Sequence, residues 1–305
     1  MSARPIVALA TTPEAHALDE DHAPLAAALR ARGCDVEAPD WEDADVDWSR
    51  YALVLPRATW NYVDRRPAFL QWAERVRAAT RLENDAATLR WNTDKRYLLD
   101  LERAGVPVIP TVATPAEARW EPPGDPEYVV KPAVGAGSRG ARRFRADEAA
   151  LAYEHAARLQ RDGATVITQP YLASVDTAGE TALVWFEGRY SHAIRKAAIL
   201  ERDGAGDSLF DPQRTAGLFA PERIVPREPG ADEIEVGAAV LRVVTARLGR
   251  APLYARVDLI RDADGRPRVL ELEMTEPSLF FRHAAGGAER LADAIVRAIV
   301  DAPAG

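Results

Sequence analysis

The chain has 305 residues and a formal net charge of −8, from 39 basic and 47 acidic side chains. That acid excess excludes a nucleic-acid scaffold, whose affinity rests on Lys and Arg neutralising phosphates, but leaves room for a local basic pocket. The single cysteine, Cys34, excludes an internal disulfide and a multi-cysteine metal site. No run of about 18 apolar residues occurs, so no membrane span is expected. The apolar stretch ahead of Thr11 and Thr12 is too short for a signal peptide, and a cytoplasmic protein of about two domains is the expectation.

The first third alternates strand and helix signals. Strands are predicted at Ile6 to Ala10, Cys34 to Ala38 and Tyr51 to Leu55. Helical spacing over 22–32 stops at Gly33, and 66–79 offers Phe69, Leu70, Trp72, Ala73 and Val76 to a buried face. This order predicts a small α/β domain with a mostly parallel sheet, ending near Asn84. A helix is predicted from Asn92 to Ala104, then strands at 107–112 and 127–132, a Gly-rich turn at 135–140, a strand at 141–145, a helix at 147–161 and a strand at 165–170. The last third holds two hairpins, turning at Glu187-Gly188 and at Asp264-Gly265. A helix at 231–248 lies between them and another at 287–300 closes the chain; the glycines of 201–222 suggest a mobile loop. The division expected is 1–84, 85–170 and 171–305.

Only three of the 39 basic residues are lysines: Lys95, Lys131 and Lys196. Either the coding bias towards Arg has chance exceptions, or Lys is kept where a compact three-donor ammonium is needed. Their neighbourhoods favour the second reading. With Asp264-Gly265 as the turn, Asp258 lies opposite Glu271 and Arg256 opposite Glu273, all on one face; Val257, Leu259, Leu270 and Leu272 take the other. Either this is a solvated face with an Arg–Glu pair, or a divalent cation lies between the carboxylates. Ordinary hairpins mix signs across the ladder, which favours the cation, and Mg²⁺ is held by such oxygens plus substrate phosphates. Lys131 ends a strand that runs into Gly135, Gly137, Ser138 and Gly140, where small residues let backbone N–H groups approach phosphate oxygens. Lys95 falls in the first turn of its predicted helix, against the helix dipole, so it is either a solvated lysine or a phosphate ligand. With Glu187-Gly188 as the turn, Glu180 faces Arg195, and Lys196 points to the opposite face. Arg57 follows a strand end, where α/β sheets bind ligands, or is simply a surface arginine.

Taken together, these residues resemble the ATP-grasp ligases. The resemblance covers about 85–280 and implies an ATP-grasp fold, α/β and α+β, with an N-terminal Rossmann-like (pre-ATP-grasp) domain, a central lid subdomain and a C-terminal antiparallel-sheet subdomain. It implies that Lys95 and Lys131 hold ATP phosphates under the 135–140 flap. Gln169, Tyr171 and Leu172 would run beside adenine, Glu180 would lie near the ribose or phosphates, and Asp258, Glu271 and Glu273 would hold Mg²⁺, with Mn²⁺ as the substitute. Many members carry Asn where this chain has Glu273. Arg57-Ala-Thr-Trp-Asn-Tyr62, Trp91-Asn-Thr-Asp-Lys-Arg-Tyr97 and Leu270-Glu-Leu-Glu-Met-Thr-Glu-Pro-Ser-Leu-Phe280 are similar to the branch that forms D-cycloserine from O-ureido-D-serine. The implied reaction phosphorylates a carboxylate-like oxygen of an amino-acid-like substrate and lets an amine attack. Arg256, Arg195 and Lys196 would assist the transfer. Arg57, Arg214, Glu276 and Ser278 would contact substrate, and the 201–222 loop would close over it. Joining of two separate amino-acid-like substrates and a small-molecule kinase on the same fold are the alternatives. No nucleic-acid or membrane partner is expected; related ligases are commonly homodimers.

Overall fold

A computed structural model describes residues 3–197 and 224–301. The first unit runs β1 (Ile6–Thr11), α1 (Pro13–His16), α2 (His22–Ala31), β2 (Asp35–Glu37), β3 (Leu53–Ala58) and α3 (Arg66–Ala79). Its three strands are parallel in the order β2-β1-β3. Phe69, Leu70, Trp72, Ala73 and Val76 form the buried face of α3, as the spacing predicts. Two short helices follow, α4 (Ala86–Asn92) and α5 (Tyr97–Arg103), where one helix over 92–104 is expected. The break at 93–96 carries Lys95, so that residue sits between helices rather than inside one.

The central unit is a four-stranded antiparallel sheet, β4 (Val112–Thr114), β5 (Glu127–Pro132), β6 (Arg142–Arg145) and β7 (Val166–Pro170), in the order β4-β7-β5-β6. Helix α6 (Ala149–Arg161) covers it, burying Ala152, Ala156 and Leu159 against Tyr128, Val130 and Phe144. The expected strand at 107–112 is reduced: Val108 bridges Val269, and β4 starts only at Val112. The last unit holds α7 (Ser174–Ala178), β8 (Glu180–Phe186), β9 (Arg189–Lys196), β10 (Val225–Pro226), α8 (Ala231–Leu248), β11 (Tyr254–Arg261), β12 (Pro267–Glu273) and α9 (Gly287–Val300). Its sheet order is β10-β9-β8-β11-β12. Helix α9 packs on α2, and Leu291 and Ile295 share a core with Val7, Leu9, Leu25 and Leu53, so the far end of the chain closes the first sheet.

Both hairpins contain a bulge, and the bulges decide which side chains share a face. In β8–β9, Phe186 pairs Arg189 and Trp185 pairs Tyr190, as a Glu187-Gly188 turn requires. Ser191 is then an extra residue, and beyond it Thr181 pairs Arg195 and Glu180 pairs Lys196. The expected Glu180–Arg195 pair is corrected to Glu180–Lys196. In β11–β12 the turn spans Asp262–Arg266 rather than two residues, and Leu259 pairs Val269. Leu270 is the extra residue there, so Asp258 pairs Glu271 and Arg256 pairs Glu273 as expected. The correction falls on Leu270: it leaves the core face of Val257, Leu259, Val269 and Leu272 and packs with Ile260 instead.

Gly179 holds the start of β8 in a conformation (φ 70°, ψ −170°) essentially reserved for glycine, and an added Cβ would lie 2.3 Å from the Lys196 carbonyl oxygen. Gly179→Ala is expected to cost at least about 2 kcal/mol and to displace Lys196; chemical denaturation and ADP release would both register it.

Candidate active site

The units meet around a cleft of about 980 Å³. One end is apolar. Ile109, Val175 and Ile260 pack with Tyr171, Leu172 and Leu270, making a slot suited to a flat purine ring. Gln169 lines this end with its amide nitrogen donating to Thr111 Oγ1 at 2.9 Å. The Tyr171 N–H is taken by the Glu127 carbonyl at 2.9 Å, so only the Tyr171 carbonyl remains for a ligand.

The middle of the cleft carries the charge. Lys131 comes from β5 and is buried; burial pushes its ammonium down to about 8, against the pull of Glu271. Lys95 lies 2.9 Å from Glu271 and donates to the Gly135 carbonyl at 2.6 Å. Its backbone N–H reaches the Ala133 carbonyl at 2.8 Å, so the break between α4 and α5 is pinned to the start of the Gly-rich loop. Gly135, Gly137 and Ser138 line the cleft. Gly140 does not; its missing Cβ leaves room for Pro132, which would stand 3.1 Å away. Arg139 ties the loop to the first unit through Asp64 at 2.6 Å.

Lys196 lines the same cleft and lies 2.9 Å from Glu180 and 2.7 Å from Asp258. The Ser191 bulge brings it there, reversing the expected orientation. Arg195 is carried the other way, and its guanidinium donates to the main-chain carbonyls of Thr177 and Ala178, off the cleft lining. Arg256 grips Asp258 with two bonds of 2.9 Å, binds Glu273, and donates to the Ser278 carbonyl at 3.1 Å. Burial would raise the Asp258 carboxyl, but Arg256 and Lys196 outweigh it and hold it at about 2. Burial raises Glu273 to about 7, with Glu271 and Asp258 adding to the rise against Arg256.

Among the described residues no three acidic, His or Cys side chains are arranged to hold a metal by themselves. Asp258 has both oxygens taken by cations and its side chain is 2% exposed, so the expected three-carboxylate set is not formed in this state. Glu271 and Glu273, two apart on β12 and both lining the cleft, keep a quarter of their side chains open. Two hard oxygen donors beside two lysines and a Gly-rich loop fit a divalent ion that would complete its shell with phosphate and water.

The far end of the cleft is built by the first unit and by 275–283, which supply Asp19, Glu20, Asp21, Trp60, Tyr62, Phe280, Arg282 and His283, together with Glu276 and Ser278. The acidic run 19–21 is missing from the expected site, although its place just beyond β1, at the ligand-binding edge of a parallel sheet, is a usable signal. Asp21 accepts the backbone N–H groups of Leu279, Phe280 and Phe281 at 2.5, 3.2 and 2.9 Å. Arg57 is corrected from substrate contact to support. It is fully buried behind the cleft wall, donating to the Pro277 carbonyl at 3.1 Å and lying 3.5 Å from Asp21 and 3.7 Å from Asp19. Arg214 and the whole 201–222 loop lie outside the described residues.

The Trp91-to-Tyr97 segment also gains a physical account. The Asn92 side chain donates to the Leu272 carbonyl at 2.7 Å and accepts the Met274 N–H at 2.6 Å, clamping the strand on both sides of Glu273. Tyr97 Oη accepts the Leu272 N–H at 2.9 Å. Asn92→Ala leaves two buried backbone groups unpaired, and a loss of about 2–4 kcal/mol with weakened metal dependence is expected. Urea unfolding and an Mg²⁺ titration of activity would measure the two effects.

Fold and cleft together define an ATP-grasp ligase. The chain superposes on D-alanine–D-alanine ligase from Bacillus anthracis over 98% of each chain (TM-score 0.65, 16% identity) and on the ATP-grasp ligase PsnB over 96% of this chain and 99% of that one (TM-score 0.61, 21% identity). It is 42% identical over 301 residues to the cycloserine biosynthesis protein DcsG of Streptomyces lavendulae, spanning 95% of this chain and 97% of that protein. The crystal structure of D-cycloserine synthetase DcsG matches with TM-score 0.87 and 40% identity over 96% of this chain and 99% of that one. Residues 7–84 match the family model for the N-terminal domain of D-cycloserine synthetase DcsG. The chain belongs to the DcsG family of ATP-grasp ligases and is an ATP-dependent enzyme that forms C–N bonds. Among the described residues no helix is long and apolar enough to cross a membrane.

Proposed function

We propose that this enzyme closes the ring of D-cycloserine from O-ureido-D-serine, using MgATP. The observation that carries the reading is one cleft with an apolar slot, a lysine-and-glycine phosphate region and a polar end built by the first unit, joined to 42% identity with a cycloserine biosynthesis protein. The three functional parts are 1–84 on the substrate side, 85–170 as the lid and 171–305 with the metal-binding strand.

Lys95 and Lys131 hold the ATP phosphates, and the 135–140 loop closes over them. Glu271 and Glu273 hold Mg²⁺, or Mn²⁺ in its place; when bound, the metal neutralises phosphate charge. Lys196 stands at the same phosphates once ATP draws it from Glu180 and Asp258. The substrate carboxylate oxygen takes the γ-phosphoryl group, giving an acyl phosphate and ADP. The oxygen-bound nitrogen then attacks the acyl carbon, losing its proton, phosphate leaves and the ring closes; water cleaves the N–carbamoyl bond, returning a proton to the ring nitrogen and releasing carbamic acid, which breaks down to carbon dioxide and ammonia. Arg256 lies where charge develops on the migrating phosphoryl group. Most of the rate enhancement on this reading is positioning and electrostatics. A cytoplasmic homodimer acting on a small molecule, with no nucleic-acid or membrane partner, belongs to the same reading.

An ADP-release screen across amino acids and O-ureido-D-serine, with product mass analysis, tests it. Release with O-ureido-D-serine and a product of D-cycloserine mass are expected. Release confined to a pair of amino acids would replace ring closure with intermolecular ligation, and a stable phosphorylated product would make the enzyme a kinase.

A further inference from the structure

Glu276 stands apart from the other acids of the cleft. It is 5% exposed and lines the cleft, yet its carboxylate makes no hydrogen bond or ion pair among the described residues; only its backbone carbonyl is engaged, by Trp60 Nε1 at 3.4 Å. Neighbouring acids have partners: Glu271 has Lys95, Glu273 has Arg256, Asp258 behind them has Arg256 and Lys196, and Asp21 has the backbone of 279–281. Arg57, the buried cation of the first unit behind this wall, is shared with Asp19 and Asp21. Asp19 adds a buried carboxylate oxygen with no hydrogen-bond partner. This end of the cleft therefore holds more acid than the chain's own cations balance. Burial, followed by the nearby Glu273, pushes Glu276 up to about 8, although the fields of Arg256, Lys95 and Arg57 pull the other way.

We propose that Glu276 is the specificity-determining residue that receives the substrate's ammonium group, so that the enzyme accepts amino acids and rejects the same acids with hydrogen in place of the amine. A buried carboxylate left unpaired penalises a ligand that cannot supply the cation, which is how polar sites discriminate most strongly. The inference rests on the proposed amino-acid-like substrate and adds the group by which that substrate is chosen.

The test is steady-state ADP release by wild type, Glu276→Gln and Glu276→Asp, with O-ureido-D-serine and with its analogue bearing hydrogen for the ammonium. Wild type is expected to favour the amine by about 100-fold or more in kcat/KM. Glu276→Gln is expected to raise the KM for the amine substrate by about 30-fold, to leave the KM for ATP within about twofold, and to shrink the discrimination to about threefold. Glu276→Asp, which keeps the charge, retains part of it. A merely structural role would move both substrates and ATP together. Full discrimination in Glu276→Gln overturns the inference, as does equal turnover of both compounds by wild type, a result that needs no variant to fold. Whether wild type releases ADP with O-ureido-D-serine at all is a separate readout, belonging to the ring-closure reading. If another amino acid is the substrate, the same comparison is made with it and its des-amino analogue.

Discussion

Lys131→Met is expected to lower kcat by about 10²- to 10³-fold, the size of effect seen when one preorganised charge contact to a transition state is removed. The lysine is buried at the end of β5, beside the Gly-rich loop and within the field of Glu271 and Lys95. A methionine fills the same space without charge, so loss of fold is not the expected cause; a melting curve within a few degrees of wild type would establish that. Lys131→Arg keeps the charge on a larger, planar head that does not fit a pocket shaped for an ammonium, and an intermediate loss is expected. Glu271→Gln should fall as far as Lys131→Met, with a raised Mg²⁺ requirement. Near-normal turnover in Lys131→Met and Glu271→Gln would remove the phosphate and metal assignments together. The pH dependence has a definite sign. With the free ammonium at about 8, ATP affinity is present below that pH and falls as pH rises through it; Lys131→Arg, charged throughout, should lose this alkaline limb.

The second large effect is on the fold as much as on catalysis. Arg256 is 6% exposed and holds Asp258 and Glu273 at once. Arg256→Met leaves Glu273 with no cation and Asp258 with Lys196 alone. Removing one partner of a buried ionic cluster costs about 3–5 kcal/mol, and turnover should be lost with it. Urea denaturation would give the first number and ADP release the second. Because Asp258 is held at about 2 in the folded state and lies near 3.9 unfolded, its pairing contributes stability above pH ~4 that is lost as pH falls towards 2. In Arg256→Met that acid limb should become shallower. Stability within about 1 kcal/mol of wild type would mean the cluster behaves like a solvated surface network.

Several features are legible in the amino-acid order alone. The apolar positions of α3, the turn at Glu187-Gly188, the strand into the Gly-rich loop and the pairing of Asp258 with Glu271 all follow from local pattern. Lys95 is recognisable as misplaced for a helix, although its true setting is the break at 93–96. The three lysines do gather in one cleft, with Lys95 and Lys196 on carboxylates and Lys131 buried beside them, and coding bias alone does not explain that. Arg57 is not legible in this way: it lies inside β3 rather than past the strand end, and its place in the sequence says nothing about whether its side chain points into the cleft or behind the wall.

Composition, periodicity and turn residues, all short-range properties, are enough to determine the class of fold, most of the elements and the chemistry available to the site. Tertiary structure alone decides which of those residues meet. The Ser191 bulge turns Lys196 inward and Arg195 outward, and the Leu270 bulge turns a core leucine into part of the apolar slot. A one-residue bulge reverses every later side chain on its strand. Leu270 is no turn-forming residue, and a lone Ser191 inside a strand is too common to announce a bulge.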